Sequence, residues 1–151
     1  MKVVTWNVNS VRMRESRVQQ LLVRHAPDLL CLQELKVADA AFPSPSFEEL
    51  GYAAAVHGQP GRNGVAILSR EPLEGVARGF PGDPAPRDAR VLSGTLDGVR
   101  AICVYVVNGR AVGTPEYELK LRWLDALVDW LRSEHDPNDP VIVVGDFNVA
   151  P

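Results

Sequence analysis

Three observations predict an α/β fold for this chain. Asp28-Leu-Leu-Cys-Leu-Gln33, Val65-Ala-Ile-Leu-Ser69 and Val141-Ile-Val-Val144 are short apolar runs without alternation, the signature of strands covered on both faces. Ahead of the first run, Val11, Val18, Leu21 and Leu22 recur at roughly helical spacing, with charged residues between them. Near the end of the chain, Tyr117, Leu121, Leu124, Val128 and Leu131 follow at gaps of four, three, four and three, an amphipathic helix.

In chain order, Lys2-Val-Val-Thr-Trp6 is a short strand that delivers Asn7, and Ser10 offers an N-cap for a helix over 11–25, which Pro27 stops. The strand over 28–33 carries Glu34 at its C-terminal end. Strand, helix and strand in this order argue for a crossover between parallel neighbours. Residues 36–51 hold Pro43, Pro45 and Gly51 and read as a loop with room for one helical turn. A strand is expected over Tyr52–Val56 and another over Val65–Ser69, with Gly58–Gly64 as the turn between them. From Arg70 to Arg87 four prolines and three glycines predict a surface loop without regular structure. Asp97-Gly98 is a strong two-residue turn signal, so Arg90–Leu96 and Val99–Val107 are expected to form a hairpin. Thr114-Pro115 opens the last helix with an N-cap and a proline at its first position, and the helix ends before Pro137. The count is about seven strands and two main helices. Placed together on one face of a sheet, the helices leave the other face uncovered, so an incomplete domain or a self-associating one is expected.

The 151 residues suffice for one domain with a sizeable core, and 46% hydrophobic with 23% charged residues is ordinary for a globular protein. A formal charge of −3 excludes a global basic field, so any nucleic-acid surface has to be local. Cys31 and Cys103 sit in apolar strands and read as buried thiols of a reducing compartment. No signal peptide or membrane-length apolar stretch is visible. A cytoplasmic protein without a membrane partner is therefore expected.

The polar residues at strand ends carry the functional signal. Asn7, Glu34 and the pair Asp146 and Asn148 close three apolar strands, where sites of α/β architectures usually form. Asp146 and Asn148, two apart, leave an extended chain on the same side. Taken alone, Gly-Asp-x-Asn reads equally well as a turn that closes a strand. Two carboxylates and two amides without Cys or His suit Mg²⁺, or Mn²⁺ as a substitute, rather than zinc. Arg62 and the segment Arg87–Arg90 lie in loops that can give local positive charge. Asn9, Arg62 and Asn108 are the candidates for contact with substrate.

Trp6-Asn-Val-Asn-Ser-Val-Arg12, Leu32-Gln-Glu-Leu-Lys36, Gly64-Val-Ala-Ile-Leu-Ser69 and Gly145-Asp-Phe-Asn-Val-Ala-Pro151 occur in this order and spacing. Together they resemble the exonuclease III/AP endonuclease family of the endonuclease/exonuclease/phosphatase superfamily. The resemblance implies the N-terminal half of a four-layer α/β/β/α sandwich. It further implies Mg²⁺-dependent cleavage of double-stranded DNA, 5′ of abasic sites and at 3′ ends. On this resemblance Glu34 is the principal metal ligand with Asn7 beside it, and Asp146 and Asn148 complete the metal set. Asp146 also orients or deprotonates the attacking water, Asn148 holds the scissile phosphate, and the phenol of Tyr105 contacts it. Val107 stands where the family's Y-x-P-N-G has proline, a departure next to Tyr105.

The family's second half supplies further strands, another aspartate and a terminal Asp–His pair. His25, His57 and His135 have no such context, and each reads as a surface or boundary histidine. The domain over 1–151 is thus expected to be incomplete at its C-terminus, carrying about half of the active site. A non-catalytic half-domain that must pair with a C-terminal half or with itself is the alternative. A superfamily phosphoesterase acting on another substrate is a further one, which W-N-V-N-S and F-N-V-A-P argue against.

Overall fold

In the computed structural model, which describes residues 1–149, eight strands form two four-stranded sheets. The first sheet holds β1 (Val3–Asn7), β2 (Leu29–Gln33), β3 (Ala53–His57) and β4 (Val65–Ser69) in the order β1-β2-β4-β3. The second holds β5 (Glu74–Arg78), β6 (Val91–Leu96), β7 (Val99–Tyr105) and β8 (Val141–Asp146) in sequence order. The helices are α1 (Val11–His25), α2 (Ser44–Glu48) and α3 (Pro115–Glu134).

Period-two alternation along the apolar strands builds the layers. Leu30 and Leu32 of β2, with Ala66 and Leu68 of β4, pack against Val11, Val18 and Leu22 of α1. Their neighbours Leu29, Cys31, Val65 and Ile67 turn the other way, onto Leu92, Ala101, Cys103, Ile142 and Val144 of the second sheet. Ile102 and Val104 of β7 then meet Trp123 and Leu127 of α3. The result is helix, sheet, sheet, helix.

This arrangement corrects two expectations. The long helices do not share one face; each covers the outer face of a different sheet. The face expected to be bare is covered as well, because the strands divide into two sheets that bury their inner faces against each other. Runs apolar on both sides report double burial but not whether the cover is a helix or another sheet. Among the described residues each sheet has two edge strands, β1 and β3 in the first and β5 and β8 in the second; β1 pairs only with β2, and β8 only with β7. These two edge strands are neighbours, and Val141–Val144 of β8 are only half-buried.

The crossover is parallel, Val3 pairing with Leu29 and Asn7 with Gln33. The Asp97-Gly98 hairpin forms, both residues at positive φ (50° and 76°) as a tight turn of this hand requires. Thr114 caps α3, its Oγ accepting from the Tyr117 amide. Ser10 does not cap α1. Its φ is 84° with no side-chain cap bond, and the Ser10 and Val11 amides instead donate to the Glu34 and Leu35 carbonyls at 2.8 and 3.1 Å. The start of α1 is thereby tied to the loop leaving β2.

Within the segment expected to lack structure, β5 is an exposed edge strand paired to β6 through a register shift. Exposure on both faces and Gly75 removed the alternation that would have revealed it. The loop expected over 36–51 holds a 3-10 turn (Asp39–Ala41) and the short α2. No helix of the described residues is long and apolar enough to cross a membrane.

Gly145 brings β8 to the site. Its φ is 153°, and a Cβ there would stand 1.9 Å from the Val104 carbonyl oxygen and 2.8 Å from its carbon. Those atoms are backbone of the paired strand and cannot yield without breaking the register that places Asp146 opposite Tyr105. Gly145→Ala is therefore expected to destabilise by at least about 3 kcal/mol in urea unfolding. Gly98→Ala, which meets nothing within 4 Å, should cost only the ~1–2 kcal/mol of left-handed backbone. Equal losses would show that the close approach is not what demands glycine at 145.

Candidate active site

The parallel pairs β1/β2 and β7/β8 end at the same place, so the sheets deliver Asn7, Glu34, Tyr105 and Asp146 to one locus. The Asn7 amide nitrogen donates to Glu34 Oε1 at 2.8 Å and to Asp146 Oδ2 at 2.7 Å, one donor group spanning both sheets. The Tyr105 phenol donates to the same Glu34 Oε1 at 2.8 Å. Lys36 Nζ stands 3.2 Å from Glu34 Oε2 and donates to Asn9 Oδ1. Asp146 Oδ1 accepts the Asn148 backbone amide at 2.9 Å, and the Asn148 side chain donates to the Val106 carbonyl at 2.8 Å.

Local backbone explains why the side chains converge. Glu34 and Lys36 have φ of 56° and 58°, so the chain leaving β2 turns sharply at both. The Leu35 and Lys36 amides meanwhile donate to the Gly64 and Asn63 carbonyls at 3.2 and 3.0 Å. Asn148 is left-handed too, at φ 50°. Left-handed asparagine is common and left-handed glutamate is not, so the Glu34 conformation is held by its surroundings. Beneath it, buried Gln33 donates to Thr5 Oγ1, the Cys31 carbonyl and Cys103 Sγ, bracing β1, β2 and β7 from below.

Burial acts first on both titrating groups. It would raise the Glu34 carboxyl, but hydrogen bonds from Asn7, Tyr105 and Lys36, with the Lys36 charge, outweigh it and hold the group below its usual 4.5. Burial, the hydrogen bond to Glu34 and the charge of Glu34 push the Tyr105 phenol well above its usual value. Tyr105 is thus a neutral donor at physiological pH.

Of the expected site residues, Asn7, Glu34, Tyr105 and Asp146 form one connected cluster, with Asn148 bound to it through Asp146. Asn9 joins through Lys36, and its own amide donates to Asn7 Oδ1 at 3.0 Å. Arg62 and Asn108 lie on flanking loops and make no bond to the cluster among the described residues. Arg62 pairs with Asp88 at 3.2 Å, and Asn108 Oδ1 accepts the Arg110 amide. Arg90, read only as loop charge, is nearly buried. Its guanidinium lies 5.0 Å from the centre of the Tyr105 ring, and it donates to the Tyr105 carbonyl at 3.2 Å.

Gln33 and Lys36 flank Glu34, but nothing in their spacing marks a role for either. Only the parallel register and the left-handed turn bring them into contact with the cluster. His57 bonds the Val91 carbonyl and His135 faces Asp139 on the far side of α3, so neither joins the cluster. Ala150 and Pro151, the end of the Gly145 motif, lie outside the described residues.

The profile of the Endonuclease/Exonuclease/phosphatase family matches residues 4–151. The chain belongs to that family. Exodeoxyribonuclease III of Haemophilus influenzae is 34% identical to it over 158 residues, covering 100% of this chain and 58% of the relative. The NExo 3′ phosphatase of Neisseria, solved bound to a product DNA hairpin, superposes with a TM-score of 0.94 at 41% identity, covering 100% of this chain and 59% of that one. An AP endonuclease from Archaeoglobus fulgidus gives 0.95 at 38% identity, with 100% and 58% covered. The chain thus spans somewhat under three fifths of each relative's length. Its resemblance to the exonuclease III/AP endonuclease group extends over the whole of what is here.

The lowered Glu34 carboxyl has a consequence for pH. A depressed folded pKa contributes stability that is present above the unfolded value and lost as pH falls through the folded one. Carbon-detected NMR titration of Glu34 is expected to give a midpoint below 4.5, and Tyr105→Phe, which deletes one donor, should move it upward. A Tyr105→Phe midpoint identical to the parent's would show that the phenol does not stabilise the carboxylate.

Proposed function

We propose that this chain is part of a Mg²⁺-dependent DNA-repair phosphodiesterase that incises 5′ of abasic sites and trims 3′ ends. The observation that carries the reading is the Asn7 amide joined to Glu34 and Asp146 at once, with the Tyr105 phenol on the same Glu34 oxygen as Asn7. Likeness to an exodeoxyribonuclease III, an AP endonuclease and a DNA-bound 3′ phosphatase supports the substrate class. A cytoplasmic setting belongs to the same reading and is supported by two cysteines kept as buried thiols.

The donor set fits a hard divalent cation. It is made of the carboxylates of Glu34 and Asp146 and the amides of Asn7 and Asn148 at strand ends, oxygen donors with no Cys or His among them. Glu34 is the principal ligand in this reading, with Asn7, Asp146 and Asn148 in reach of the same locus and Mn²⁺ as a substitute. Asn7 Oδ1 presently faces the Asn9 amide, so ligation by Asn7 requires its amide to turn. When bound, the cation supplies charge stabilisation to the phosphate oxygens. The chain's own residues do the rest. Asp146, fixed at both oxygens, orients water and takes its proton. Asn148 and the neutral phenol of Tyr105 donate to the phosphate. Asn9, Arg62 and Asn108 line the loops where flanking DNA passes, and their role is positional.

The open edges of β1 and β8 favour a second reading, in which the chain is a non-catalytic half-domain. It would then work only on pairing with a C-terminal half or with itself. Incision of an abasic-site duplex in Mg²⁺ separates the two. Under the first reading the chain incises, and Asp146→Ala slows it by about a hundred- to ten-thousand-fold. Glu34→Ala should abolish Mg²⁺ binding in calorimetry. Incision unchanged in Asp146→Ala, or Mg²⁺ affinity unchanged in Glu34→Ala, overturns the assignment. No incision until a C-terminal half is added supports the second reading.

A further inference from the structure

Lys120 is one of three lysines in the chain and the only one that is buried, at 8% exposure. It projects from the second turn of α3, and its ammonium donates to the backbone carbonyl of Asn148. Among the described residues no carboxylate stands within ion-pair distance of it. A buried ammonium is costly unless its hydrogen bonds matter, and this one is spent on a single carbonyl of the site loop.

The path of the side chain is built for this contact. A Cβ on Gly109 would stand 2.9 Å from Lys120 Cδ and 3.2 Å from the Tyr117 ring, so the 108–110 loop lies flat on the lysine stem. Stem and ring leave the ammonium between two loops, the one carrying Asn108 and the one carrying Asn148. Both border the same cavity of about 340 Å³.

Asn148 has three anchors. Its amide donates to Asp146 and its side chain to Val106, both within the strand ends it belongs to. Its carbonyl alone is held from outside, by α3. With φ at 50°, the Asn148 backbone is in a region that a non-glycine residue keeps only when its surroundings insist.

We propose that Lys120 is a positioning residue: held under Gly109, it clamps the Asn148 carbonyl and thereby fixes the left-handed turn that sets the Asn148 amide on Asp146 and its side chain on the Val106 carbonyl. The functional value of the clamp rests on the reading of Asn148 as a phosphate-holding amide; the clamp itself does not.

NMR on the chain as it stands tests the clamp without requiring activity. In the parent chain the Lys120 ammonium protons should exchange slowly enough to give their own nitrogen-correlated signal. Exchange as fast as that of a solvent-exposed lysine overturns the proposal, and this measurement needs no variant. Lys120→Met keeps the stem and removes the donor, while Lys120→Arg restores a cationic donor. Exchange of the Asn148 backbone amide is expected to quicken about tenfold in Lys120→Met and to return to within about twofold of the parent in Lys120→Arg, with the Ile102 and Val104 amides of β7 unchanged. Quickening spread equally over β7 would mark Lys120 as a packing residue only, and no change at Asn148 would also refute the clamp. In the incision assay the same Met variant should lose about tenfold in kcat with KM little moved, and the Arg variant should recover. A parent chain that does not incise counts against the catalytic reading alone, because the exchange data still decide the clamp.

Discussion

Two carboxylates from different sheets share one amide, and the rest of the site is arranged about that fact. Glu34 and Asp146 repel each other, and the Asn7 NH₂ group between them is a donor that satisfies both. The Tyr105 phenol shares the Glu34 Oε1 with Asn7, and Lys36 stands at the other carboxylate oxygen. Asp146 is completed by the Asn148 amide. An arrangement of this kind needs its partners fixed to within a few tenths of an ångström. Here that is done by strand ends rather than by long loops.

The precision comes from the core. β2 is wholly buried, one face on α1 and the other on the second sheet, so the register that ends in Gln33 and Glu34 cannot slip without exposing apolar residues on both sides. Between the sheets, Cys31 and Cys103 are adjacent thiols. The hydrogen bond between them, together with burial, raises the Cys31 thiol well above its usual value, which makes it inert filling rather than a nucleophile. Gln33 uses the same layer, bonding Cys103 from below while its neighbour Glu34 emerges into the site. Site and core are therefore one construction.

The edge that β1 and β8 leave open lies beside this site, not remote from it, since both strands end in site residues. Relatives that extend well beyond the length of this chain share its fold closely over all of it. The valines of β8 on this edge are only partly buried.

Most of the elements, and the polar groups at their ends, are legible in the residues alone. Continuous apolar runs marked β2, β4 and β8. Helical spacing marked α1 and α3, and Asp97-Gly98 marked the hairpin. Asn7, Glu34, Asp146 and Asn148 were legible as candidates because they close three apolar strands together; each by itself reads equally well as a turn or strand-end residue. These are local properties, readable from neighbours within a few positions. The apolar runs themselves do not tell that the strands part into two sheets, because an apolar face looks the same whether a helix or another sheet covers it. The four-layer sandwich was implied by the family resemblance and is what the fold has. Only the tertiary structure decided that β5 is a strand, since pairing with β6 and not its own exposed residues makes it one. Contacts such as Asn7 with Asp146, Gln33 with Cys103, Arg90 with Tyr105 and Lys120 with Asn148 join residues far apart in the chain, and no spacing rule reaches across such distances. Register and layer packing bring them together, and both are properties of the assembled fold.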